Sequence, residues 1–122
     1  MKILVPVDGS KCALRASEYV VSWMEANSKI EATVLHVTDT FGDPSYLDEA
    51  VKIFKEKGLK VEAWLVDSNR DPASEIASIV EKENFDHVVM GRKGVGAVQA
   101  LFVGSVSQKV LHLVDVPIML VK

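Results

Sequence analysis

Residues 87–106 read HVVMGRKGVGAVQALFVGSV, an apolar run that passes directly into a glycine-rich segment. Four of the seven glycines of the chain lie here, at positions 91, 94, 96 and 104. Glycine loses more conformational entropy on folding than other residues, so a cluster after a strand needs a local reason, such as positive φ or close approach of another group. The pattern indicates a strand that ends in a bare backbone loop suited to a phosphate.

Strand-like and helix-like periods alternate along the whole chain. The predicted strands cover residues 3–7, 32–37, 61–66, 85–90 and 117–121. The predicted helices cover residues 13–24, 47–54, 72–80 and 105–113. Strands that alternate with helices favour a parallel sheet with right-handed crossovers and a helical layer on each face. We therefore expect a small, doubly wound α/β fold that forms a single domain over residues 1–122.

Local signals refine three of these elements. Asp71-Pro72 has the form of an acidic N-cap with proline at the first helical position, and Gly58 is a plausible C-cap of the second helix. The third strand is expected to turn Ala63 and Leu65 toward the core and Trp64 to the other face. Its polar alternation is typical of an edge strand.

The loops after two strands are expected to meet in one crevice. Asp8-Gly9-Ser10 follows the first strand and Gly91 follows the fourth, and doubly wound sheets bind ligands where the strand order reverses. Gly104-Ser105 begins a helix whose first amides lack partners, and Arg92 and Lys93 could add attraction for phosphate. Neither the P-loop pattern nor the dinucleotide fingerprint is present, so the glycine spacing belongs to another class of phosphate site.

Composition narrows the function classes. The 122 residues are 48% apolar and 25% charged with net charge -3, and the basic residues are scattered, which disfavours a nucleic-acid partner. A single cysteine, Cys12, fits a reducing compartment. The first residues do not resemble a signal peptide and no apolar run is long enough for a membrane span, so a cytoplasmic location without membrane association is expected.

The spacing Gly91-x2-Gly94-x9-Gly104-Ser105 is the G-2x-G-9x-G-S pattern, and it resembles the ATP-binding branch of the universal stress protein family. The opening strand through Asp8-Gly9-Ser10, together with Leu35-His36-Val37, extends the resemblance along the chain. It implies a five-stranded Rossmann-like sheet of the adenine nucleotide alpha hydrolase-like type, in strand order 3-2-1-4-5. ATP, or AMP or ADP, would lie across the point where the strand order reverses.

The same resemblance implies roles for ten residues. The adenine and ribose would be surrounded by Pro6, Val7, Asp8, Val37 and Met90, with Asp8 as the polar anchor. The phosphates would be held by Gly91, Gly94, Gly104, Ser105 and Val106, largely through backbone N–H groups and the Ser105 hydroxyl. Mg²⁺ could bind together with the phosphates, and the candidate ligands of the metal ion are Asp8 and Asp39.

The implied function is nucleotide-responsive regulation in a stress response. The implied partners are a second copy of the chain, paired through the last strand, Pro117 to Val121, and an unidentified protein. One departure from the family pattern is Arg70, which stands two places before Pro72 where many relatives have glycine; a solvated loop arginine is the simpler interpretation of it.

Two other functions stay open at this point. One is a slow ATPase or autokinase that transfers phosphate to Ser105 or Ser10, although no dedicated general base is visible. The other is an interaction module that binds no nucleotide. Asp8 could simply form an Asx turn and Ser105 could be a helix N-cap. The three histidines show no metal-ligand spacing.

Overall fold

The computed structural model describes residues 1–38, 44–93 and 103–122. In these residues strands and helices alternate from one end of the chain to the other, as predicted. The strands are β1 (Lys2–Pro6), β2 (Glu31–Thr38), β3 (Glu62–Asp67), β4 (His87–Gly91) and β5 (Ile118–Val121). The helices are α1 (Lys11–Ala26), α2 (Ser45–Lys55), α3 (Pro72–Lys82) and α4 (Ser105–Leu113).

The five strands form one parallel sheet in the order β3-β2-β1-β4-β5, which confirms the expected 3-2-1-4-5 order. Leu4 of β1 pairs with Thr33 of β2 on one side and with Val88 of β4 on the other. The chain therefore winds outward in one direction from β1 through β2 to β3, and in the other through β4 to β5. The carboxyl ends of β1 and β4 lie side by side where the direction reverses.

Helices cover both faces of the sheet. On one face, α1 and α2 pack through Val20 and Phe54, both fully buried, against alternate strand residues such as Val5 and Val89. On the other face, α3 and α4 pack through Ile76 and Val110 against the intervening strand residues. Because successive residues of a strand point to opposite faces, near-continuous apolar strands can serve both layers. The α/β, Rossmann-like class predicted from the sequence is confirmed.

Local chemistry sets the helix ends. Ser10 caps α1 by accepting a hydrogen bond of 3.2 Å from the Ala13 N–H, and Asp71 caps α3 by accepting from the Ser74 N–H at 3.1 Å. Pro72 follows Asp71 at the first position of α3, as predicted. Gly58, just beyond α2, has φ of +69° and its N–H donates to the Lys55 carbonyl. This is the left-handed conformation that glycine favours after a helix.

The predicted facing of β3 was wrong, although its position at the sheet edge is confirmed. Trp64 is partly buried and packs against the core, with its ring 5.7 Å from that of Phe85, whereas Leu65 is 47% exposed. The indole lies on the α3 face, where Phe85 and Ile76 offer a large apolar surface. The opposite face of this edge strand is less completely covered, so the smaller leucine is left in solvent.

Candidate functional site

A cavity of about 180 Å³ lies beyond the carboxyl ends of the central strands, at the predicted crevice. Its walls bring together nine of the ten residues singled out in the sequence: Pro6, Val7, Asp8, Val37, Met90, Gly91, Gly104, Ser105 and Val106. The tenth, Gly94, and the candidate magnesium ligand Asp39 lie outside the described residues. The juxtaposition follows from the topology, because parallel strands end at the same edge of the sheet.

The cavity is also lined by Lys93, which the sequence analysis had named as a possible phosphate contact. Six further lining residues were not among those predicted: Ala13, Leu35, His36, Pro72, Ile76 and Ser107. Their sequence positions carried a usable signal, since His36 directly precedes Val37 at the end of β2 and Pro72 begins the helix after β3. Every βα junction of a parallel sheet delivers its residues to this edge, so the junctions after β2 and β3 could have been included.

The loop between β1 and α1 presents Asp8 at the cavity. The Asp8 Oδ1 atom accepts a hydrogen bond of 2.9 Å from the Ser10 N–H, which is the Asx turn that the sequence left open. The Asp8 side chain is nevertheless exposed, so the turn leaves the carboxylate within reach of a ligand. Gly9 has φ of +86°, a backbone conformation that favours glycine, and a Cβ atom there would lie 2.5 Å from Cε1 of Tyr46, so a side chain would also displace the Tyr46 ring.

Gly91 closes β4 against α1. A Cβ atom at this position would lie 2.8 Å from the Cβ of Cys12 and 3.0 Å from the Ala13 nitrogen. The absence of a side chain therefore allows the first turn of α1 to pack directly on the end of β4. This packing is a reason for glycine at position 91 that does not depend on a ligand.

The amino terminus of α4 faces the same cavity. Gly104 is the N-cap residue, with φ of −60° and ψ of 155°, and its N–H donates to the Arg92 carbonyl at 2.9 Å. The suggestion that Ser105 is the N-cap was wrong: Ser105 is the first helical residue, and the N-cap is Gly104, which has no side chain to accept a hydrogen bond. The Ser105 side chain is exposed at the cavity. The first amides of an α-helix have no partner within the helix, which suits this end for an anion.

Among the described lining residues, charge comes from few side chains. Lys93 is a lining residue, whereas Arg92, the other basic candidate, is absent from the described lining. The backbone N–H of Arg92 donates to the Val121 carbonyl at 2.8 Å and so links the end of β4 to the edge strand β5. Arg70 is exposed and lies 3.9 Å from the Glu75 carboxylate, which agrees with its interpretation as a loop arginine. Within the described ranges, no group of three or more His, Cys, Asp or Glu side chains could hold a metal ion.

One carboxyl group beside the cavity has a clearly shifted pKa. Asp71, which precedes the lining residue Pro72, accepts hydrogen bonds from the Ser74 hydroxyl and N–H and lies 3.0 Å from Lys109 Nζ of α4. The Ser74 hydroxyl bond, followed by the interaction with Lys109, holds the pKa of Asp71 well below its usual range. The pair links α3 to α4 across one flank of the site.

The two serines considered as phosphate acceptors differ in their environment. Ser10 is buried, and its hydroxyl oxygen already accepts the Ala13 N–H at 3.2 Å. Ser105 is exposed at the cavity. The geometry therefore favours Ser105 over Ser10 as a group that a ligand can touch.

Every helix in the described portion is too short or too polar to cross a bilayer.

The sequence and the structure were compared with those of known proteins. Residues 1–122 match the profile described as the Universal stress protein family. A Thermus aquaticus protein, called universal stress protein in QAH/OAS sulfhydrylase 3′region, is 35% identical over 135 aligned positions, which cover 98% of this chain and 97% of the relative.

Two solved structures share the fold at lower identity. The universal stress protein of Archaeoglobus fulgidus in complex with dAMP superposes with a TM-score of 0.81 at 21% identity, covering 100% of this chain and 98% of that one. A universal stress protein family member from Arabidopsis thaliana with AMP bound superposes with a TM-score of 0.76 at 23% identity, covering 100% and 91%. With the whole-length profile match and the Thermus relative, these findings show that the chain belongs to the universal stress protein family.

Proposed function

We propose that residues 1–122 form one domain that binds an adenine nucleotide in the cavity beyond β1 and β4 and acts as a nucleotide-responsive regulatory protein. The observation that carries the proposal is that one cavity is lined by two kinds of group. Apolar strand ends form part of the lining, and the start of α4 together with Lys93 forms another part. A nucleotide has the same division, with a flat apolar base and an anionic tail.

The base would lie against the strand ends. Pro6, Val7 and Met90 are buried, and Val37 is partly exposed, so together they form a firm apolar wall. Burying an aromatic base against such a wall is favourable at about 25 cal/mol per Å² of apolar surface. Asp8 stands at the margin of the wall, where its carboxylate could accept hydrogen bonds from the ribose hydroxyls.

The phosphates would lie at the other wall. The first amides of α4 and the Ser105 hydroxyl are donors, and Lys93 supplies positive charge. A helix terminus contributes about 0.3–1 kcal/mol to an exposed anion, so several donors must act together. Gly91 and Gly94 are proposed to complete this wall. ATP, ADP and AMP share the base and ribose, and Mg²⁺ would accompany the longer phosphate chains, with Asp8 and Asp39 as its candidate ligands.

The relatives support this choice of ligand. The Archaeoglobus protein is in complex with dAMP and the Arabidopsis protein has AMP bound, and both have the same fold as this chain. In the regulatory step, nucleotide binding would change the shape of the cavity or of a dimer, and an unidentified protein partner would recognise that change. The dimer would form through the outer edge of β5, which ends the sheet. We place the protein in the cytoplasm, where nucleotide is available and the single Cys12 stays reduced.

The first experiment is to purify the protein, denature it with heat and identify any released nucleotide by chromatography. Thermal unfolding is then measured with added ATP, ADP and AMP, and with GTP as the control base. A ligand present at 100 times its dissociation constant adds about 2.7 kcal/mol to the free energy of unfolding. We expect the adenine nucleotides to raise the midpoint and GTP to have a smaller effect.

The matched variants are Gly104→Ala and Gly104→Val. Gly104 has an ordinary extended backbone, so either side chain is compatible with its φ and ψ, while valine places more bulk at the phosphate wall. We expect the nucleotide-induced shift to fall from wild type to alanine to valine. Folded protein that releases no nucleotide and shows no shift would instead support the interaction module. Equal binding in excess chelator would show that Mg²⁺ is dispensable.

A further inference from the structure

Val7 is held by β2 through both of its backbone polar groups. Its N–H donates to the Leu35 carbonyl at 2.8 Å, and its carbonyl oxygen lies 2.8 Å from Nδ1 of His36. A carbonyl oxygen can only accept, so this contact requires a proton on Nδ1, and the imidazole is the donor. The residue that immediately precedes Asp8 is thus fixed to the neighbouring strand by a side chain as well as by the sheet.

The imidazole is itself held in place. His36 is only 8% exposed, and its ring meets that of Tyr46 in an edge-to-face arrangement with centroids 5.1 Å apart. Tyr46 also lies against Gly9, where an added Cβ would be 2.5 Å from Cε1 of the ring. The same aromatic ring therefore contacts the histidine and the loop that the histidine holds.

A series of hydrogen bonds runs from this histidine to α1. His36 donates to Val7, Asp8 accepts from the Ser10 N–H at 2.9 Å, and Ser10 accepts from the Ala13 N–H at 3.2 Å. Each bond constrains the next residue of the loop. Asp8 is the exposed member of the series, and it lines the cavity together with His36.

We infer that His36 is a positioning residue of the nucleotide site: its bond to the Val7 carbonyl sets the loop so that the Asp8 carboxylate meets the ligand. The inference rests on the proposed function, and it adds which residue positions Asp8 in the nucleotide site. The competing explanation is a histidine that merely satisfies a buried carbonyl, in which case changing it would alter stability without acting through Asp8.

Two substitutions separate the explanations. In asparagine the side-chain nitrogen lies near the position of histidine Nδ1, so His36→Asn retains a donor for Val7; in His36→Gln the amide lies nearer the position of Nε2. We expect His36→Gln to weaken ATP or AMP binding by about tenfold, as expected for the loss of one buried hydrogen bond, and His36→Asn to restore most of the affinity. His112→Gln, at an exposed histidine on α4, is the matched control.

A double-mutant cycle with Asp8→Ala tests the route of the effect, with affinities measured by calorimetry. If His36 acts through Asp8, His36→Gln will cause little further loss of affinity in the Asp8→Ala background. An undiminished loss in that background would overturn the inference. Equal losses in the glutamine and asparagine variants, or wild-type affinity in both, would overturn it as well.

A measurement without nucleotide keeps this test separate from the proposed function. Amide hydrogen exchange of the Ser10 N–H, which is bonded to Asp8, should accelerate about fivefold or more in His36→Gln and remain slow in His36→Asn. Failure of the wild-type protein to bind any nucleotide would defeat the proposed function, and exchange would then decide alone whether His36 sets the loop. Unchanged exchange in both variants would refute that role.

Discussion

The Ser107 hydroxyl donates a hydrogen bond of 2.9 Å to the carbonyl oxygen of Gly91, and both residues are buried. The bond joins the first turn of α4 to the end of β4. These two elements form adjacent parts of the cavity wall, so their relative position bears on any ligand that contacts both. It is the counterpart, on the β4 side, of the bond from His36 to Val7 on the β1 side.

Ser107→Ala removes this bond and leaves a buried carbonyl oxygen with one fewer donor. We expect the free energy of unfolding to fall by about 1–2 kcal/mol, measured by urea denaturation. The control is Ser22→Ala, because the Ser22 hydroxyl also donates to a backbone carbonyl, that of Tyr19 in the same helix, but in an exposed position. Equal and negligible losses in the two variants would show that the buried bond adds nothing to stability.

Gly91→Ala should destabilise the protein because the added Cβ has no room. Cys12 and Ala13 would have to move by several tenths of an ångström, and overpacking of this kind costs about 1–3 kcal/mol. Gly91→Asn should be worse, since it is larger. The measurement is again the urea midpoint, with circular dichroism to confirm the fold. An unchanged midpoint in Gly91→Ala would contradict the packing explanation.

Gly58 provides the opposite case. A Cβ there meets nothing within 4 Å, but φ is +69°. We expect Gly58→Ala to cost about 1 kcal/mol through backbone strain alone, and Gly58→Asn to cost less because asparagine tolerates this conformation. The order of alanine and asparagine should thus reverse between positions 91 and 58. The same order at both positions would mean that one mechanism explains both glycines.

The Asp71 interactions predict a stability difference that depends on pH. The pKa of this carboxyl is lower in the folded protein than in the unfolded chain, where it is about 3.9, so its contribution is complete well above that value and is lost as the pH falls. Asp71→Asn keeps an acceptor for the Ser74 N–H but removes the charge. The gap in urea midpoint between wild type and Asp71→Asn should therefore narrow from pH 6 to pH 3.

Lys109 offers a check on the cause of that gap. The pair with Asp71 is about half exposed on each side, so added salt should screen its part of the effect, while the bond from the Ser74 hydroxyl should persist. Lys109→Met at pH 6 should reproduce only part of the loss seen in Asp71→Asn. A gap that stays constant with pH would rule out the carboxylate charge as its source.

The outer edge of β5 is predicted to form a two-fold dimer. The Val88 N–H donates to the Pro117 carbonyl and the Arg92 N–H to the Val121 carbonyl, so in a parallel ladder the backbone groups of Ile118 and Leu120 face outward. Light scattering at micromolar concentration should give twice the chain mass. Leu120→Pro removes an edge donor and should give monomer, whereas Leu120→Ala keeps the donor and should remain dimeric. A wild-type protein of single-chain mass would disprove the dimer.

Much of the architecture could be predicted because its causes are local. The apolar period of two or of 3.6 residues identified the elements, and Asp71-Pro72 identified the start of α3 by cap chemistry that acts over three residues. The strand order came from resemblance. The set of site residues came from the resemblance as well. Topology explains why those at the strand ends lie together, since parallel strands bring their carboxyl ends to one edge.

What the sequence by itself determined is therefore the alternation of strands and helices and the residues brought to the edge where the strands end. Three features became evident only from the tertiary structure. Trp64 faces the core, Cys12 packs against Gly91 and leaves no room for a side chain there, and His36 donates a hydrogen bond to the Val7 carbonyl. These outcomes depend on contacts between elements distant in sequence, such as the 29 positions that separate Val7 from His36. Hydrophobic periodicity and helix capping depend on residues that are close in sequence, so they do not predict which residues of different elements come into contact when the layers pack.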